Sequence, residues 1–296
     1  MKTMEIEVGN QTDIGRKRTH NEDYLGFFER TPGEVLAIVA DGMGGHASGE
    51  IASRMAVEII HEVYSKERDD KDVLEALKSA FQVANFTILQ KSLEQEGLNG
   101  MGTTATAFIL KNDQAFLGHM GDSRAYLFRD VAASQLTKDH SLVERMVDQG
   151  LLNREEADRH PQKNVIYKTL GVNRDAELDL LGPIPVSIGD VFLLCSDGLT
   201  NFVTAQEMLE IVTKESPQKA CENLIHLANQ RGGHDNITIQ ILKMGRSKKV
   251  FAPLLDRKRL WLVIGLILLI LLLLNGLFLI EPEYLKKVPF VSPAKP

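Results

Sequence analysis

Cysteine is scarce: only Cys195 and Cys221 occur in 296 residues. They form no CxxC pair, so neither a zinc site nor a disulfide framework is indicated, and a reducing compartment fits. Basic excess is also missing. The chain carries 34 Lys and Arg against 40 Asp and Glu, a formal net charge of −6. A nucleic-acid-binding surface would ordinarily show the opposite balance. The opening residues Met1-Lys2-Thr3-Met4-Glu5 contain no apolar core, so no signal peptide is expected. Residues 1–243 hold no internal repeat or low-complexity tract. The composition, 44% apolar and 25% charged, is that of a globular protein and excludes wholesale disorder.

Against these absences stands one long apolar run. Leu260 to Ile280 is free of charge, with Asn275 its only strongly polar member. As a helix rising about 1.5 Å per residue it would be about 31 Å long, matching a bilayer core of about 30 Å. Arg246, Lys248, Lys249, Arg257, Lys258 and Arg259 precede it, and only Lys286, Lys287 and Lys295 follow. That asymmetry predicts a single-pass membrane protein with residues 1–259 in the cytoplasm. Residues 244–259 read as a basic linker, 260–280 as a transmembrane helix and 281–296 as a short extracytoplasmic tail.

The rest alternates between strand and helix signals. Apolar runs suited to strands lie at 35–40, 103–110, 114–120, 124–129, 191–195 and 237–242, and Lys111-Asn112-Asp113 predicts a hairpin turn. Ile51, Ala52, Met55, Ala56, Ile59, Ile60 and Val63 recur at helical spacing. Residues 72–95 predict a second helix, Thr204 with Glu207 a capping box opening a third, and Ser216-Pro217 the cap of a fourth. Tight turns between neighbouring strands imply antiparallel pairing. Helix pairs between strand blocks predict an α+β fold of layered antiparallel sheets with helices outside. The charged segment 139–170 reads as an insertion over the body.

Aspartates recur in one setting. The run Val35–Ala40 leads into Asp41-Gly42, Phe116–Met120 into Gly121-Asp122, Val191–Cys195 into Ser196-Asp197-Gly198, and Asp235-Asn236 precedes another strand. Asn21-Glu22-Asp23 precedes one more. A single Asp-Gly pair is a turn signal. Several carboxylates at strand ends repel one another and are costly to desolvate, so together they require a cation. Oxygen donors select a hard ion such as Mg2+ or Mn2+.

Taken in order, these segments resemble the type 2C metal-dependent protein serine/threonine phosphatases, the compact bacterial members above all. Arg18-Thr19-His20-Asn21-Glu22-Asp23, Asp41-Gly42-Met43-Gly44-Gly45-His46, Gly102-Thr103-Thr104, Gly121-Asp122-Ser123-Arg124, Asp139-His140-Ser141, Ser196-Asp197-Gly198 and Asp235-Asn236 carry the likeness across residues 5–243. The resemblance implies a two-sheet antiparallel β-sandwich flanked by helix pairs, with 139–170 as a flap. It implies two or three Mn2+ or Mg2+ ions and phosphoserine or phosphothreonine proteins as substrates. Asp41 would bridge two ions, the Gly42 carbonyl would bind one, and Asp197 and Asp235 would complete the other. Asp122 with Asp197 would serve a third ion. Glu22 and Asp23 would act mostly through intervening waters, Asn236 would support them, and Arg18 would grip the phosphate.

Eukaryotic members commonly place a histidine after the Asp-Gly pair as general acid; here Met43 stands there, as in bacterial members. His46 is then the nearest ionisable candidate for that role, and a metal-bound water is the alternative donor, favoured because glycines on both sides leave His46 poorly positioned. His119, His140 and His234 receive none. Arg145, Arg154, Arg159 and Lys163 in the flap are candidates for receiving a phosphoprotein. A membrane serine/threonine kinase is the partner suggested by location. The rival readings are a phosphodiesterase or nuclease, which the acidic charge disfavours, and a non-catalytic docking module, which would leave a destabilising carboxylate cluster unused.

Overall fold

The computed structural model describes residues 4–44, 47–175 and 177–246. Eleven strands are present among them: β1 (Met4–Asp13), β2 (Asp23–Thr31), β3 (Glu34–Met43), β4 (Gly102–Thr103), β5 (Ala105–Lys111), β6 (Gln114–Met120), β7 (Arg124–Arg129), β8 (Ala132–Gln135), β9 (Asp179–Pro185), β10 (Val191–Cys195) and β11 (Ile237–Arg246). The helices are α1 (Ala47–Lys66), α2 (Val73–Glu94), α3 (Leu142–Asp148), α4 (Arg154–Arg159), α5 (Asp197–Thr200), α6 (Ala205–Lys214) and α7 (Pro217–Gln230).

The strands form two antiparallel sheets, ordered β1-β11-β10-β7-β8 and β2-β3-β5-β6-β9, with β4 paired to β3. Side-chain alternation along β3 explains the layering. Leu36, Ile38 and Ala40 pack on one side with Ala52, Ala56 and Ile60 of α1 and Leu77, Ala80 and Ala84 of α2. Val35, Ala37 and Val39 point the other way, into the core between the sheets, with Phe108, Leu117, Phe192, Leu194 and Leu242. A third core joins the outer face of the β1-β11-β10-β7-β8 sheet to α5, α6 and α7 through Leu193, Ile239, Leu199, Met208 and Leu224. A strand of period two thus serves two cores at once, which is why its run is apolar without interruption. The result is the expected α-β-β-α sandwich.

Asn112 and Asp113 adopt φ +53° and +57°, the left-handed pair that a tight hairpin between β5 and β6 needs. Thr204 and Glu207 form the expected capping box on α6, a device contributing about 0.5–2 kcal/mol. Ser216 behaves differently. It occupies the N-cap position of α7, but its side chain makes no capping hydrogen bond, and Pro217 alone starts the helix. The final strand runs to Arg246, three residues into the stretch expected as linker. Among the described residues no helix is long and apolar enough to cross a membrane. The expected membrane helix at 260–280 and the tail at 281–296 lie outside the described residues, as does His46.

Candidate metal centre

Parity on β3 places Asp41 on the same side as Val35, Ala37 and Val39, facing the cleft between the sheets. Its cross-strand partner on β2 is Asp23. The other sheet brings its own acids to the same rim. Cys195, the last residue of β10, pairs with Arg124, the first of β7. Asp197 and Asp122 therefore emerge side by side, two residues beyond each. Cys195 also pairs with Ile239 of β11, so Asp235, just ahead of that strand, joins them.

The electrostatics record how close these groups are. Burial, then Asp23, Asp197, Asp122 and Asp235, push the Asp41 carboxyl well above its ordinary range. Burial and neighbouring Asp197 do the same to Asp122. Burial pushes Asp23 up to about 7, against hydrogen bonds from Ser196 and Thr238, and burial with Asp235 pushes Asp197 up to about 6. Four aspartates thus hold their protons more tightly than usual, with the Asp235 charge adding to the field on Asp23, Asp41 and Asp197. Oδ1 of Asp23, Asp122 and Asp197 is buried without a hydrogen-bond partner. A buried carboxylate oxygen left unsatisfied is costly, and a hard divalent cation is the partner that satisfies several at once. The residues fit such an ion. Among the described residues no three His, Cys, Asp or Glu side chains close on one point as a complete metal cage.

A lattice of short hydrogen bonds fixes the cleft. Ser196 Oγ donates to Asp23 Oδ2 at 2.7 Å and accepts from the Thr238 N–H at 3.0 Å, tying β2 of one sheet to β11 of the other. Thr104 Oγ1 accepts from the Asp41 N–H at 2.9 Å and lies 2.7 Å from Ser123 Oγ. The Gly42 N–H donates to the Glu22 carbonyl at 3.1 Å. Asn236 Oδ1 accepts the Glu22 N–H at 2.8 Å, while its Nδ2 donates to the carbonyls of Ile14 and His20, both at 3.0 Å. Gly198 is required here, because a Cβ on it would lie 1.9 Å from the Asn236 carbonyl oxygen.

Arg18 stands at the mouth, its side chain 45% exposed, with Nη2 2.7 Å from Asp235 Oδ2 and Nη1 3.7 Å from Glu22 Oε2. The structure thus brings together Arg18, Glu22, Asp23, Asp41, Gly42, Asp122, Asp197, Asp235 and Asn236. Of the flap cations, Arg154 and Lys163 line the cavity beside Asp122 and Asp197. Arg154 pairs with Glu144, Arg145 lies over the Tyr167 ring, Arg159 ends α4, and Lys163 reaches Asn201 Oδ1 at 3.3 Å. His119 and His140 are buried, and the His234 ring packs beside Phe202.

Asn201 was not foreseen. Its Nδ2 donates to Asp197 Oδ2 at 3.1 Å, so it joins an acid of the cluster to the flap through Lys163. Thr104 and Ser196 lay inside recognised segments without a role attached. A cavity of about 380 Å³ opens between flap and cluster, lined in part by Asp122, Arg124, Ser141, Lys163, Asp197 and Asn201.

Residues 12–231 match the family model described as protein phosphatase 2C. The serine/threonine phosphatase Stp of Listeria monocytogenes is 39% identical over 243 residues, covering 81% of this chain and 96% of its own length. The crystal structure of the Streptococcus agalactiae serine/threonine phosphatase superposes with a TM-score of 0.76 at 36% identity, covering 81% of this chain and 99% of that one. The catalytic domain of the phosphatase PstP, crystallised with two manganese ions, gives 0.72 at 34% identity, covering 82% and 100%.

Proposed function

Because the chain belongs to the protein phosphatase 2C family and is a metal-dependent protein serine/threonine phosphatase, we propose that its cleft works with two or three Mn2+ or Mg2+ ions held by Asp41, the Gly42 carbonyl, Asp197, Asp235 and Asp122. The observation that carries this reading is the convergence of five aspartates, three with a buried, unpartnered oxygen. The manganese-bound PstP domain, similar along its whole length, supports the choice of ion. When bound, such ions polarise a phosphoryl oxygen and make water a competent nucleophile near neutral pH.

The chain's own residues supply the rest. Arg18 offers a planar, permanently charged fork at the cleft mouth, suited to two phosphate oxygens. Asn236 holds the Glu22 backbone, and Ser196 orients Asp23, so both acids face the cleft in a fixed attitude. Asn201 occupies one oxygen of Asp197 and leaves the other turned inward. The flap roofs the cavity where a phosphorylated segment would enter.

The apolar run at 260–280, with basic residues before it, supports a single-pass membrane anchor with the phosphatase domain on the cytoplasmic side. Such a location favours substrates at the membrane, among them a membrane serine/threonine kinase and its targets. Comparing esters tests the catalytic reading. Mn2+-loaded protein is expected to release phosphate from a phosphothreonine peptide while leaving an aryl phosphodiester nearly untouched. Comparable turnover of the diester would overturn it.

A further inference from the structure

Asp122 reaches the cluster from the three-residue loop 121–123 between β6 and β7, and that loop is gripped by a residue from outside the acidic cluster. Gly121, just before Asp122, has φ +115°, and a Cβ on it would lie 2.5 Å from Thr104 Cβ. Only glycine satisfies both conditions, so the loop cannot draw on side-chain packing at that point and depends on its backbone hydrogen bonds. His140 takes both. Its N–H donates to the Gly121 carbonyl at 2.7 Å, and its ring Nδ1 accepts the Gly121 N–H at 3.0 Å.

The same residue holds the flap. The His140 carbonyl accepts the Tyr167 N–H at 2.9 Å, and next to it Leu142 donates to the Val165 carbonyl at 2.8 Å. Both ends of the flap are therefore joined at His140. The ring is packed on both faces. It stacks on His119 with centroids 4.9 Å apart and meets the edge of Tyr167 at 5.9 Å; its Nε2 lies 3.2 Å from Asp179 Oδ2 but forms no hydrogen bond. Accepting at Nδ1 requires the neutral ring with its proton on Nε2. The surroundings favour that form: burial lowers the affinity of His140 for a second proton, although Asp179 opposes it.

We propose that His140 is a positioning residue: it fixes the Gly121-Asp122 loop for its ion and couples that ion to the flap. The inference rests on Asp122 serving as an ion ligand. Three consequences follow from the geometry. Losing the Nδ1 acceptor frees the Gly121 N–H and lets Asp122 turn. The ion served by Asp122 then binds more weakly, while ions held by Asp41 and Asp235 are little changed. Conversely, an ion on Asp122 stiffens the flap, because both are tied to one residue, the loop through the His140 ring and N–H and the flap through its carbonyl.

The test is calorimetric titration of the metal-free full-length protein with Mn2+, comparing wild type, Asp122→Asn, His140→Phe and His140→Asn. Phenylalanine keeps the stack on His119 but cannot accept a hydrogen bond. Asparagine places Oδ1 near the position of Nδ1. Asp122→Asn is expected to weaken one class of site. His140→Phe is expected to weaken the same class about 10–100-fold, the usual loss when a residue orienting a ligand is removed. His140→Asn should restore most of that affinity. A His140→Phe isotherm equal to wild type, with Asp122→Asn altered, would overturn the positioning role alone. An unaltered Asp122→Asn isotherm would remove the ion assignment and the proposal with it. Hydrogen exchange on wild type and Asp122→Asn keeps the idea testable if His140→Phe fails to fold. Mn2+ should slow exchange across residues 139–168 in wild type and not in Asp122→Asn; equal protection in both contradicts the coupling.

Discussion

Asp23 and Asp41 are directly opposite one another on the antiparallel pair β2 and β3. Like charges in that register destabilise a sheet, and here Asp23 is buried and Asp41 half-buried, with Asp197 and Asp235 adding to the repulsion. The sheet rim is therefore held in a state that a divalent cation relieves.

A pH dependence follows for the protein kept in chelator. Asp23 titrates at about 7 and Asp197 at about 6 in the folded state, against 3.8 for an ordinary aspartate. Between about pH 4 and 7 these aspartates bind more protons in the folded chain than in the unfolded one, so their contribution to stability falls as pH rises, outweighing the opposite contribution of the buried His119 and His140. The melting temperature in chelator should be higher at about pH 5.5 than at about pH 7.5, and Mn2+ should raise it more at the higher pH. A melting temperature that climbs with pH across this window in chelator would contradict the buried cluster.

Ser196→Ala should weaken both fold and catalysis. The hydroxyl is fully buried and serves Asp23 and the Thr238 N–H together. Leaving a buried partner unsatisfied costs about 1–3 kcal/mol, and in a domain of this size each kcal/mol lowers the melting temperature by about 2–4 °C. Calorimetry and peptide turnover on the same preparation check this. An unchanged melting temperature would mean that the two sheets are not joined there.

Residues 1–247 should fold and turn over alone, since Met1–Ser247 forms one compact unit and every proposed ligand lies within it. The full-length protein should act preferentially near a bilayer. Residues 247–259, if a flexible linker, would reach about 18–22 Å, and Lys248, Lys249 and Arg257 to Arg259 favour anionic lipid. Rates on bilayer-tethered and free phosphoprotein, measured with liposome-borne protein, decide it. Equal rates would remove the membrane preference.

The sequence made the inner strands plain because β3, β5 and β10 are buried on both faces and read as unbroken apolar runs. The edges were not legible. β1 alternates half-buried and exposed residues, and β9 carries Gly182-Pro183, a breaker signal that an edge strand tolerates. The aspartates were visible because each sits at a strand end beside glycine or a turn. Their convergence was legible only through the family resemblance, since register and sheet order decide which ends meet. Ser196, Asn201 and His140 had no local signature for their roles. Each acts on a partner brought near by topology, as when Ser196 reaches Asp23 across 173 positions of chain.

If the convergent aspartates hold the catalytic ions, turnover of a phosphothreonine peptide at saturating Mn2+ separates wild type from Asp41→Asn, with calorimetry in chelator as the folding control. Asp41→Asn is expected to remain folded, and to be no less stable without metal because a repelling charge is gone. Its turnover should fall by more than about 100-fold, beyond the range for residues that only orient a ligand. A folded Asp41→Asn protein that keeps most of the wild-type rate would show that Asp41 holds no catalytic ion.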